Sequence, residues 1–155
     1  MPSTTTSRAS ARRRARALVL QGLYQRRLSR NASADVRADL VASEDFARSD
    51  ADYFDELWRG VSESADAIVE GLAPSLDRKP AEVSPIESAI LAIGAWELAH
   101  RPDIPYRVVI NEAVELAKSY GGTDGHKFVN GVLDRHAAGV RGAEIAALAR
   151  ERGIR

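Results

Sequence analysis

Arg12, Arg13, Arg14 and Arg16 fall within five consecutive positions near the start of the chain. Each guanidinium is a planar fork of donors that fits phosphate oxygens two at a time and stays charged throughout the physiological range. The run is predicted to occupy the opening turns of a helix. There the positive end of the dipole makes each added cation unfavourable by roughly a few tenths of a kcal/mol. A polyanion offsets that cost, because phosphates draw on both the arginine forks and the open helix amides. The cluster alone fits RNA, DNA or acidic lipid, and a solubilising tail needs no ligand at all. A second group lies where Gly121-Gly122-Thr123-Asp124-Gly125 precedes His126-Lys127-Phe128. The glycine turn is expected to leave a helix start open, with amides that favour a phosphate. Lys127 adds a point charge, and Phe128 a ring on which an unstacked base can lie, a contact of about 1–3 kcal/mol. The plain alternative is packing, with Phe128 in the core and Lys127 in water. Val129, Val132 and Leu133 already supply a buried stripe for that helix, which leaves Phe128 available. Asp124 suits the same surface or a helix cap.

Other chemistries find no support in the residues. The 155-residue chain has no cysteine, which removes disulfides, thiolate ligands and a cysteine nucleophile. His100, His126 and His136 form no i, i+4 pair and gather no carboxylates, so no metal site is expected. The glycines at 121, 122 and 125 do not follow a strand, so no dinucleotide or phosphate cradle is expected, nor any cofactor. Nothing resembles a nucleophile elbow. Asn111, Glu112 and Glu115 lie on one polar helix face, which suits solvent or an interface better than acid–base catalysis. No catalytic residue is assigned. No apolar run approaches the ~20 residues of a membrane span, and ALVL is too short for a signal-peptide core, so the expected location is the cytoplasm.

The formal charge of zero hides a polarity. Of the 22 Lys and Arg, eight fall in the first 30 residues, which hold no acid; the other 14 face all 22 Asp and Glu, so +8 stands against −8. A basic end on an acidic body suggests an anionic polymer bound at that end and a basic protein on the acid-rich stretch from Asp35 to Glu70.

Hydrophobic periodicity predicts the elements that position these groups. Residues 1–10 are small and polar, an expected disordered basic arm. A helix is predicted from Ser10 or Ala11 to about Leu28, with Ala17, Leu20, Tyr24 and Leu28 facing inward. Ser33 is expected to cap a second helix carrying Val36, Leu40 and Val41. Ser49 is expected to cap a third, whose stripe Phe54, Leu57, Val61, Ala65, Ile68 and Leu72 runs to Gly71 and Pro74. Ser84-Pro85-Ile86-Glu87 is a capping box with proline at the first helical position. The helix it opens is apolar on more than one face, hence central, and ends at His100-Arg101-Pro102. The next carries Val109, Ala113, Leu116 and Tyr120, with Gly121-Gly122 supplying a positive-φ cap. Thr123 or Asp124 opens another, and Gly142 to Arg152 suits a short amphipathic helix. No segment alternates like a strand. The expected fold is all-α, about seven helices in two small bundles, residues 11–76 and 84–138. They would join near Pro80–Ser84 and share one core in one domain, followed by a tail over 139–155.

The segments INEAVELAKSYGG and HKFVNGVLD, the helix IESAILAIGAWEL, the link RPDIPYRVVINEA and the block ARRRARALVLQGLYQ together resemble the NusB family of bacterial transcription antitermination factors. The resemblance spans roughly Ala11 to Arg135. It implies an all-α fold of two packed helical bundles and a factor that binds the boxA RNA of ribosomal RNA operon transcripts. That factor acts with the small-subunit ribosomal protein NusE inside an RNA polymerase antitermination complex, and as a monomer or homodimer when alone. Carried over residue by residue, it implies RNA contacts at the arginine helix, Asp124, Lys127 and Phe128, and NusE contacts at Tyr24, Leu28 and Glu87. Core packing for Tyr24 and Leu28, and the capping box for Glu87, explain those residues without a partner. Ala92 and Gly125 depart from the family pattern, where a base and a serine are common. A NusB-like interaction module, or an accessory domain to RNA modification, is the alternative. The chain is too short for a methyltransferase domain of its own, and its basic and amide side chains do not line a DNA recognition helix.

Overall fold

Ala15, Leu18, Val19, Gly22 and Leu23 recur at steps of three and four and form the inner face of the first helix, α1 (Thr4–Ser29). The protein is described by a computed structural model over residues 4–153, with side chains from Arg8 onward; residues 1–3 of the expected arm and 154–155 of the tail lie outside the described residues. The helix begins at Thr4, where a disordered arm up to residue 10 was expected. Once the packed turns nucleate a helix, each further residue adds a hydrogen bond at little cost, so polar residues do not end it. Of the predicted inward residues Leu20 is buried, but the other three are not. Leu28 is 65% exposed, and Ala17 and Tyr24 are half-buried. Gly22 explains the rotation: a Cβ there would lie 2.6 Å from the Trp58 ring and 2.7 Å from Leu40, so both side chains pack onto bare backbone.

The described residues form eight α-helices and no strand, so the all-α expectation holds with one helix more than foreseen. The extra helix comes from a break. The predicted third helix is two, α3 (Ala51–Val61) and α4 (Ala65–Glu70). At the break, Arg26 Nη1 donates to the Ser62 carbonyl, and Ser33 Oγ donates to Glu63 Oε1 at 2.6 Å. The Arg26 side chain thus satisfies a carbonyl that an unbroken ladder would have used, and Ser33 holds the Glu63 side chain beside it. The same bond removes Ser33 as a cap: α2 (Ser33–Val41) starts after Ala32 with no side-chain cap. Asp50, not Ser49, caps α3 by accepting from the Tyr53 amide at 3.0 Å. The chain divides into two compact units, Met1–Ala67 and Ile68–Arg155, ahead of the Pro80–Ser84 joint read from the sequence. In the first unit, Phe54 stacks on Trp58 at 6.2 Å and takes Phe46 edge-on at 5.4 Å.

The second unit is organised on α5 (Pro85–His100), buried from Ser88 to Leu98 except at half-buried Trp96. Ser84 caps it, accepting from the Glu87 amide at 3.2 Å. Ala92 is fully buried. Helices α6 (Tyr106–Tyr120) and α7 (Gly125–Val140) supply Val109, Ile110, Ala113 and Leu116, and Val129, Val132 and Leu133. Tyr120, expected inward, is 42% exposed. A short α8 (Gly142–Glu151) realises the amphipathic helix expected in the tail. Its anchor was not foreseen. Arg141, 6% exposed, donates to the carbonyls of Leu98, Ile104 and Arg101 at 2.8, 3.0 and 2.9 Å and to Glu144 Oε1 at 2.5 Å. Glu144 Oε2 in turn accepts from the Tyr106 amide at 2.9 Å. One ion pair therefore ties the tail to the end of α5 and the start of α6.

Candidate nucleic-acid interface

Beginning α1 at Thr4 moves the arginine cluster into the helix interior. The dipole acts within the first turn, so the opposition expected between these cations and a helix start does not arise. Helical geometry then sorts them. Arg12 and Arg16, four apart, share the face toward α3, with their guanidinium carbons 4.8 and 5.3 Å from the centre of the Tyr53 ring. Arg16 is 4% exposed, more buried than its neighbours in the run, and packs on the Tyr53 ring. Arg12 is intermediate: its Nε lies 3.8 Å from Asp50 Oδ2 and, buried, has no hydrogen-bond partner. Arg13 is exposed, and half-buried Arg14 donates to Ser10 Oγ at 2.9 Å. Arg8 is exposed on the same helix. Farther along it, Tyr24 is half-buried and Leu28 open to solvent, so core packing does not account for Leu28.

The turn between α6 and α7 also differs in detail from the expectation. Gly121 is extended at φ −88°, and no positive φ falls on the glycine pair. Its constraint is space, because a Cβ would sit 2.7 Å from the Ala117 carbonyl oxygen that accepts from its own amide. The left-handed residue is Asp124, at φ 66°. Its side chain caps nothing; its backbone carbonyl accepts from the amides of Lys127 and Phe128 at 3.1 and 3.3 Å, and Gly125 donates to Gly122 at 3.1 Å. Two of the four opening amides, those of Gly125 and Lys127, are thus already used, and the Phe128 amide makes the first regular helical bond. Glu87, half-buried, also brings its carboxylate to the helix start, where a Cβ on Gly125 would lie 3.3 Å from Oε2. The open amides expected to favour a phosphate here are half occupied and face an acid.

What this surface presents is charge and a ring. Lys127, its side chain 73% exposed, pairs with Asp124 at 3.3 Å. Phe128 is half-buried, while Val129, Val132 and Leu133 are fully buried, so the stripe closes without it. No residue pattern signals the group that meets the ring. Arg78, from the segment before α5, places its guanidinium carbon 4.1 Å from the Phe128 centre. Asp77 holds the fork, accepting from Nε at 2.7 Å and Nη2 at 3.4 Å. That bond keeps the Asp77 carboxyl below its ordinary range and raises Arg78. Arg135 braces the same segment through Nε to the Ser75 carbonyl at 2.9 Å. A lone arginine in a loop carries no periodic signal, and only the fold brings it to α7.

The described residues include no group of three or more His, Cys, Asp or Glu placed to hold a metal ion, and no helix long and apolar enough to cross a membrane. Known proteins share both the sequence and the architecture. Transcription antitermination protein NusB of Ralstonia nicotianae is 54% identical over 138 residues, 89% of each chain. Its namesake from Bordetella pertussis is 51% identical over 145 residues, 91% of this chain and 94% of the relative. The solved structure of T. maritima NusB superposes with a TM-score of 0.70 at 29% identity, covering 80% of this chain and 88% of that one. Residues 13–138 match the sequence model of the NusB family, a stretch that runs from the arginine helix to the end of the α7 core, and the chain belongs to that family.

Proposed function

We propose that this protein is a transcription antitermination factor. It binds the boxA RNA of ribosomal RNA operon transcripts as a heterodimer with NusE, within a cytoplasmic RNA polymerase antitermination complex, and catalyses no step itself. The observation that carries the proposal is the 54% identity, across 89% of each chain, to a protein named for antitermination. The surface chemistry supports it. Single-stranded RNA needs cations for phosphates and flat groups for unstacked bases. Arg12, Arg13 and Arg14 offer the first on α1, and Lys127 and Phe128 both kinds on α7, with Asp124 beside them. Arg16 serves the α1 cluster indirectly, by fixing α1 on Tyr53. Exposed Leu28 with Tyr24 suits the NusE contact, and Glu87 is retained as a weaker contact because the α7 start already engages it.

The test is a titration of boxA single-stranded RNA, with and without NusE, against duplex DNA of equal length. Preference for the RNA, tightened by NusE, is the expected result. Equal affinity for both nucleic acids would assign the protein to general polyanion binding. No RNA binding with intact NusE binding would make it an interaction module.

A further inference from the structure

We propose that Arg78, lying on Phe128, is itself a base-stacking residue: its guanidinium takes the unstacked RNA base on its outer face, with Asp77 holding the plane. This rests on the RNA-binding reading above. At 4.1 Å from the ring centre, the guanidinium occupies the distance at which a base would lie against Phe128. While it stays, that face of the ring is covered. A guanidinium is itself flat, weakly hydrated and able to stack, so the covering group is a platform in its own right. Two further observations favour this use. The Asp77 carboxylate grips Nε and Nη2 along the edge of the fork, which fixes the plane and leaves its face unblocked. The Arg78 side chain is 39% exposed although one face lies on the ring, so the rest of it meets solvent. The pairing also largely cancels the charge of Arg78 toward a distant phosphate. The residue therefore contributes mainly as a surface, and Lys127 remains the cation of this patch.

This role separates cleanly from that of a phosphate-binding cation. Arg78→Lys keeps the charge and removes the plane, whereas Lys79→Ala removes a neighbouring charge and keeps the plane. The measurement is a fluorescence titration of boxA single-stranded RNA carrying 2-aminopurine at successive positions, with the full chain. Arg78→Lys is expected to weaken binding by about 5- to 150-fold, the range of one lost base stack. The slope of log affinity against log salt should stay unchanged, and the stacking quench at one RNA position should be lost. Phe128→Ala should lose the same quench, and the double variant should lose little more than either single one, because the two act as one stack. Affinity and quench in Arg78→Lys within twofold of the parent would overturn the proposal while leaving RNA binding intact. So would a lower melting temperature with normal RNA affinity in the folded fraction, which marks Arg78 as a cover for the ring. Failure of the parent chain to bind this RNA would remove the RNA-binding reading and this inference with it.

Discussion

Arg13 and Arg16 are one helical turn apart in the same arginine run, and the structure gives them different work. Arg16 is buried against Tyr53, while Arg13 faces outward. Residue type made all four arginines look alike in the sequence. What separates them is the register of α1, which Gly22 sets and no arginine reveals. Arg13→Ala should flatten the dependence of log affinity on log salt by about 0.7 unit, the contribution of one contact to single-stranded phosphate. Arg16→Ala should leave that slope alone and cost about 1–3 kcal/mol of folding stability, read by urea unfolding, through lost packing and an exposed ring. If the two variants change the slope equally, the assignment by burial is wrong. Asp124 supports a similar residue-scale argument. Its left-handed backbone suits asparagine at least as well, and its carboxylate engages Lys127 where a phosphate would otherwise lie. Asp124→Asn should therefore strengthen RNA binding by about two- to fivefold, the scale of one exposed ion pair. Weaker binding would show that the carboxylate itself accepts a bond from the RNA.

Helix starts and stops were partly legible, and the exceptions have physical causes. Ser84 capped α5 as read, because its capping box is a local device that depends on four consecutive residues. Ser33 and Ser49 missed for the same kind of reason in reverse: a distant carboxylate and a nearby carbonyl took their hydroxyls. The break after Val61 was invisible because the apolar stripe runs straight through it, while the group that holds it, Arg26, belongs to another helix. Of the candidate site, the α7 surface could be read from its turn, but Arg78 could not, since it arrives from a loop fifty residues earlier (positions 78 and 128). Gly125→Ser removes backbone freedom at the first position of α7 and brings a hydroxyl toward Glu87, whose carboxylate end can shift from 3.3 Å. It should stabilise the fold by about 0.4–1 kcal/mol, seen as a higher Tm, whereas a lower Tm would mean that Glu87 cannot move. Arg141 is the opposite case. Ending the chain after Gly139 removes Arg141 together with Glu144 and leaves the Leu98 and Ile104 carbonyls without their donor, an expected loss of about 1–3 kcal/mol for each. Ending it after Ala146 keeps Arg141 and Glu144 and should cost far less in the same melt. Equal losses would locate the stabilisation beyond Ala146 instead, at half-buried Leu148 and its neighbours.

At the scale of the whole molecule, the chain carries +8 in its first 30 residues and −8 in the rest, and much of that acid stays at the surface. Asp35, Asp39, Glu44, Asp45, Asp52 and Glu56 are all exposed in the first unit. Some acids there are engaged, as Asp45 is by Arg48 at 3.6 Å, but exposed pairs of this kind are worth about 0–1 kcal/mol and yield readily to a better partner. RNA gains nothing from such a surface. A basic ribosomal protein does, both by complementary charge and by covering the exposed Leu28. If NusE binds here, it masks acid that would repel the transcript, and RNA affinity should rise in its presence. Linkage makes the effect reciprocal, so boxA RNA must tighten NusE binding by the same factor. Couplings of this sort typically amount to about 1–3 kcal/mol, or roughly 5- to 150-fold. Calorimetry around the closed cycle measures all four affinities. Because the masking is electrostatic, the coupling should shrink as salt rises, and the rate of NusE association should fall with it. Equal RNA affinity with and without NusE would sink the idea. A coupling that persists unchanged at high salt would assign it to direct contact between NusE and RNA, with the acidic surface left out of the account.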